Sequence, residues 1–115
     1  MARFPCQEPS YQVSVESVDG ECVIVFGGDL DLAASGELWA CVEKIRDGGR
    51  PVVIDLSGTR FMDSAGVNLL LRAYRAHGQV PEAVVLRSPS EAVRSVLEMT
   101  SVTHLFRIED GAAPA

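Results

Sequence analysis

The sequence predicts an α/β domain. Its mixed β-sheet opens with an N-terminal antiparallel hairpin, continues as parallel βαβ units and is packed with three or so helices. Three observations lead there. Short β-branched runs, Val23-Ile24-Val25 and Val52-Val53-Ile54, are apolar without interruption, as strands covered on both faces are. Other stretches place apolar residues at helical spacing: Leu38, Val42 and Ile45, then Val67, Leu70, Leu71 and Tyr74. The order β-β-α-β-α-β-α-β then alternates strand with helix, as parallel sheets require.

A chain of 115 residues points to one domain. With 47% hydrophobic residues it can bury a self-sufficient core. No apolar run approaches the roughly 20 residues of a membrane-spanning helix, and the start of the chain lacks a signal-peptide core. These features predict a cytoplasmic protein without direct membrane insertion. A formal net charge of -6 disfavours nucleic acid as a partner. The three cysteines, Cys6, Cys22 and Cys41, have neither disulfide-framework nor zinc spacing and read as reduced thiols. Cys22 is expected to pack in a strand and Cys41 near a helix face.

Residues 1–10 read as a flexible lead-in, 11–108 as the domain and 109–115 as a tail. Tyr11, Val13 and Val15 alternate with polar residues, the mark of a half-buried strand. Asp19-Gly20 is a hairpin turn signal. Cys22 to Phe26 forms the second strand, and Gly27-Gly28 is read as breaking it. A helix is expected from Leu32 to about Arg46, with Trp39 packing beside its inner face and Gly48-Gly49 ending it. Pro51 to Leu56 is the third strand, followed by a loop from Ser57 to Met62. The central helix starts at Asp63 or Ser64, either of which can cap it, and ends near His77-Gly78. Ala83 to Leu86 is a fourth strand. A helix starting at Ser88-Pro89-Ser90-Glu91 follows, with Val93, Val96, Leu97 and Thr100 on one side. Leu105 to Ile108 is the last strand.

The stretch Asp55-Leu56-Ser57-Gly58-Thr59-Arg60-Phe61-Met62-Asp63-Ser64-Ala65-Gly66-Val67 resembles the signature of STAS domains, in particular of bacterial anti-sigma factor antagonists. Gly28, Leu30 and Asp31 match a second family pattern, Gly-x-Leu-Asp. The resemblance covers about Tyr11 to Ile108 and implies a single STAS-like domain. It also implies that the chain binds an anti-sigma factor with serine kinase activity and so releases a sigma factor. The kinase would phosphorylate Ser64, and a metal-dependent serine phosphatase would reverse that. ATP and Mg²⁺ belong to the kinase, so the chain itself needs no cofactor. The resemblance places Asp31, Met62, Asp63, Ser64, Ala65 and Gly66 at the partner-binding site. The alternative function is a non-catalytic STAS scaffold subunit of a membrane transport complex for lipid or anion. Two departures stand out. Ser101-Val102 replaces the Gly-Leu pair that usually closes the third helix, and the tail is too short for the additional C-terminal helix of many members.

From the residues themselves, Ser64 has four readings. They are a bare helix cap, a phosphoacceptor at a helix mouth where negative charge is tolerated, a nucleophile, and part of a phosphate-binding loop. The nucleophile lacks a Gly-x-Ser-x-Gly elbow, and the only histidines are His77 and His104. The loop lacks the Gly-Lys-Ser/Thr of a phosphate-binding loop. Ser57 and Thr59 are fallback acceptors. Asp55 is read as fixing the loop by accepting backbone N–H groups. Asp31 has a second reading as a helix N-cap, compatible with the first. Phe61 is expected to be buried under the loop, while Met62 is open between burial and partner contact.

Overall fold

The computed structural model of the chain describes residues 11–18, 20–45 and 50–110. The lead-in, Cys6, Asp19, Arg46 and Gly48-Gly49 lie outside the described residues. Strands β1 (Tyr11–Val18), β2 (Glu21–Leu30), β3 (Val52–Met62), β4 (Val84–Arg87) and β5 (Arg107–Glu109) form one sheet in the order β1-β2-β3-β4-β5. Helices α1 (Leu32–Lys44), α2 (Ser64–Ala76) and α3 (Glu91–Met99) connect its parallel part. The β1–β2 pair is antiparallel, with Val18 opposite Glu21 across a turn whose Gly20 has φ +80°. All later pairings are parallel.

Strand alternation sorts the side chains into two layers. Ile24 and Phe26 of β2, Ile54 and Leu56 of β3, and Leu86 of β4 share the main core. Leu38 and Val42 of α1, Leu70 and Ala73 of α2, and Val93 and Leu97 of α3 join it. The alternate residues Val23, Val53 and Val85 form a narrow buried strip with Val25 packed against it. That explains the unbroken apolar runs: these strands hide both faces. Trp39 and Cys41 pack against the core as expected, whereas Cys22 lies in its strand but is exposed.

The largest departure from the expected elements concerns the glycines. Gly27-Gly28 does not end β2, and Ser57-Gly58 does not end β3; both strands run on, to Leu30 and Met62. Gly27 lies opposite Gly58 across the pair, where the register shifts between Val25 and Gly27 and again between Gly28 and Asp29. A Cβ on Gly58 would stand 3.4 Å from the Gly27 Cα. The glycines therefore allow a bulge and a close backbone approach rather than a stop. The expected loop from Ser57 to Met62 is paired strand.

The ends of the elements differ in smaller ways. A short 3₁₀ turn, Pro81–Ala83, precedes β4, and another, Thr103–Leu105, occupies the start of the expected last strand. Ser90 stitches α3 to β3: its N–H donates to the Leu56 carbonyl (3.3 Å) and its hydroxyl to that of Thr59 (2.6 Å). At the far end of α3, Ser101 takes φ +58°. Its N–H donates to the Glu98 carbonyl and that of Val102 to the Leu97 carbonyl, both at 3.1 Å. This is a Schellman cap with serine in the left-handed position where glycine is usual.

Because a side chain there is strained, Ser101→Gly should stabilise the domain by about 0.5–1 kcal/mol. Urea unfolding measures this, and a loss of stability would contradict the left-handed cap.

Candidate functional site

Strands β2 and β3 end level with each other, Leu30 paired with Met62. An aspartate follows each of them and caps the helix that begins there. Asp31 (φ -104°, ψ -168°) accepts the Ala34 N–H on Oδ1 at 3.0 Å. Asp63 (φ -111°, ψ -166°) accepts the Ala65 N–H on Oδ1 at 2.9 Å. The Asp63 N–H reaches back toward the Leu30 carbonyl at 3.5 Å. Two helix N-termini thus open side by side at one end of the sheet. Each carries a carboxylate cap that satisfies backbone donors and suits the helix dipole.

This settles how the central helix is capped. Asp63 is the N-cap, and Ser64 is the first helical residue. The serine is exposed, and among the described residues no hydrogen bond engages its hydroxyl. Its hydroxyl is therefore not spent on the fold. The same geometry disposes of a Ser64–His77 catalytic pair. His77 caps the opposite end of the 13-residue helix, roughly 20 Å away at the rise of an α-helix. Its Nδ1 is paired with the Ala73 carbonyl at 2.9 Å.

Other expected site residues separate by exposure. Asp31 and Asp63 are half-buried and flank the serine's helix mouth. Ser57 is exposed, and Asp55 Oδ1 accepts both its N–H (2.9 Å) and its hydroxyl (2.7 Å), so Asp55 fixes the local backbone as expected. Thr59, the other fallback acceptor, does not qualify. It is 2% exposed and donates its hydroxyl to the Phe26 carbonyl. Phe61, expected to be buried, is 49% exposed, and Met62, open between burial and partner contact, is buried at 3% exposure. Strand alternation turns Met62 into the core, so its side chain cannot meet a partner. Ala65 is half-buried and Gly66 buried. A Cβ on Gly66 would strike the Met62 side chain and lie 3.0 Å from Leu30 Cγ. Gly66 is thus where α2 presses closest on the strand ends, and its role is packing.

Two features escaped the sequence reading. Leu32 holds in α1 the position that Ser64 holds in α2, and it is 78% exposed. Comparing Asp29-Leu30-Asp31-Leu32 with Phe61-Met62-Asp63-Ser64 would have revealed the duplicated strand-to-helix junction. The second is Arg72, whose Cζ lies 4.1 Å from the centroid of the Trp39 ring. The field near the α1 mouth is negative. Burial first, then the Glu37 carboxylate and Asp31, raise the Tyr11 phenol above its ordinary pKa.

Comparison with known proteins agrees with this arrangement. The family model described as "Mlab, STAS domain" matches residues 13–108; the chain belongs to the STAS domain family. It is 30% identical over 101 residues to the anti-sigma-F factor antagonist RsfB of Mycobacterium tuberculosis, covering 86% of this chain and 81% of that protein. It is 27% identical over 86 residues to an anti-sigma-B factor antagonist of Staphylococcus aureus, covering 74% of this chain and 80% of that one. Among solved structures, the anti-sigma factor antagonist SpoIIAA in its unphosphorylated form has a TM-score of 0.69 at 25% identity, over 87% of this chain and 90% of that one. An anti-sigma factor antagonist from Mycobacterium paratuberculosis shares the fold with a TM-score of 0.77 at 24% identity, over 90% of this chain and 88% of that one.

The capping geometry separates the junction's residues by stability. Asp63→Ala should cost about 0.5–2 kcal/mol through the lost cap, and Gly66→Ala about 1–3 kcal/mol through overpacking against Met62 and Leu30. Ser64→Ala should stay within about 0.5 kcal/mol of the parent. Chemical denaturation of the three variants measures this order; a Ser64→Ala loss as large as that of Asp63→Ala would make the serine structural.

Proposed function

We propose that this chain is an anti-sigma factor antagonist: it binds an anti-sigma factor with serine kinase activity, releases a sigma factor, and is switched off by phosphorylation of Ser64. The observation that carries this reading is the division of labour at the α2 mouth. Asp63 does the capping, which leaves Ser64 exposed and its hydroxyl, among the described residues, without a hydrogen bond. The names of the relatives, antagonists of anti-sigma-F and anti-sigma-B factors, support it. A metal-dependent serine phosphatase would restore the binding form.

The switch works through charge. A phosphate adds about -1.5 to -2 charges at neutral pH. The helix N-terminus tolerates them within the domain. In a docked complex they sit beside Asp63 and near Asp31, where partner groups lose water. Each 1.4 kcal/mol lost there weakens binding about tenfold. The twin aspartates thus set a negative background at the helix mouths that the phosphate deepens.

A second reading is a scaffold subunit of a membrane transport complex. It keeps a place because the matching family model is described by Mlab and not by an antagonist. Among the described residues no helix is long and apolar enough to cross a membrane, so such a subunit would act through partner proteins. Recovery with a small serine kinase favours the first reading, and recovery with a transport ATPase the second.

Intact-mass measurement on the protein from its own cells, with the site mapped by fragmentation, tests the switch. The expected result is a fraction heavier by one phosphate, about 80 Da, on Ser64, absent from Ser64→Ala. The Ser64→Asp variant should fold and bind the kinase more weakly. No phosphate on Ser64 under any growth condition would overturn the switch.

A further inference from the structure

Between α1 and α2 runs an open groove of about 570 Å³, lined at one end by Ser64, Asp63 and Leu32 and farther along by Trp39 and Arg72. Ser64, Asn68 and Arg72 recur every four residues along one stripe of α2. Along the helix axis the Arg72 backbone therefore lies two turns, roughly 12 Å, from that of the serine. Arg72 is, among the described residues, the one cation lining the groove. Among the described residues it has no carboxylate within ion-pair distance. The face of Trp39 holds it instead, at 4.1 Å. Stacking of this kind restrains the guanidinium and leaves its N–H edge for a planar bidentate acceptor. Near the serine, Leu32 projects apolar surface at 78% exposure.

The groove is therefore ordered in charge and polarity: an acid and an exposed leucine at the serine end, a positioned cation two turns along. We infer that it is a second contact for the anti-sigma factor, receiving a partner carboxylate on Arg72 and a partner aliphatic side chain against Leu32. The inference rests on the antagonist reading above and adds to it the chemistry of the docking segment. Charge complementarity selects the carboxylate: among the described residues no counter-ion meets this cation, on a chain of net charge -6. Pre-ordering by Trp39 lowers the entropy lost when the pair forms. The Arg72 and Ser64 contacts meet one partner, so their coupling is what a double-mutant cycle measures. Phosphorylation removes one anchor and leaves the other.

Isothermal titration with a purified anti-sigma factor kinase from the chain's own cells, held in the ADP form, tests this. Arg72→Glu should weaken binding by about 10- to 100-fold, with the fold kept and stability lowered only by the lost Trp39 contact. Arg72→Lys should fall between that variant and the parent, because it keeps the charge and loses the fork. Leu32→Ser should also weaken binding. The double variant Arg72→Glu/Ser64→Asp should bind more weakly than either single variant. Tight binding by the parent that Arg72→Glu and Leu32→Ser leave unchanged would overturn the groove contact and spare the antagonist reading. Failure of the unmodified parent to bind any such kinase would overturn the antagonist reading and the groove contact with it.

Discussion

The parallel pairing of β2 with β3 is the constraint on which the rest of the structure depends. It holds through a bulged stretch where Gly27 meets Gly58, and the missing side chains let the two backbones approach. Carrying the pair past that point brings Leu30 level with Met62. Each strand then hands over to a helix in the same way, through an aspartate in nearly the same extended conformation. The twin helix mouths follow from strand pairing, and the exposed serine follows from the mouths. Ser90 adds a tie from α3 to the Leu56 and Thr59 carbonyls, so the strand leading into the site is held from two sides.

Much of this was legible in the residues. Apolar runs located the strands, helical spacing located α2, and the aspartates were candidates for both caps. What the residues could not decide was the meaning of Gly27-Gly28 and Ser57-Gly58. Glycine ends a strand in isolation, but two glycines facing each other across a pair permit a bulge, and facing is a property of the pairing. The same limit misplaced Phe61 and left Met62 undecided. Reading the segment as a loop discarded the alternation that buries Met62 and exposes Phe61. Thr59 looked available as an acceptor for the same reason. Leu32 and Arg72 were missed because neither belongs to a motif; Leu32 stands out only when the two strand-to-helix junctions are superposed, and Arg72 only when α1 is laid against α2.

The site combines features that a reversible charge switch needs. The hydroxyl sits on a rigid helix, outside the capping bonds, so adding phosphate breaks no native interaction. The neighbouring carboxylates already make the mouth negative, so on the proposed reading a phosphate would act on whatever docks there rather than on the fold. Packing is kept separate from recognition. Met62 and Gly66 seal the junction from below, while Ser64, Leu32 and Phe61 reach solvent. A surface built this way can lose a partner without losing its structure.

The most direct test is the affinity of the purified chain for its anti-sigma factor kinase, measured before and after stoichiometric phosphorylation of Ser64, with the fold of both forms checked by amide hydrogen exchange. The account predicts at least about a tenfold loss of affinity, the equivalent of 1.4 kcal/mol, with unchanged protection of the sheet and helices. Equal affinity of the two forms would contradict it, as would a loss of affinity that arises because α2 unravels.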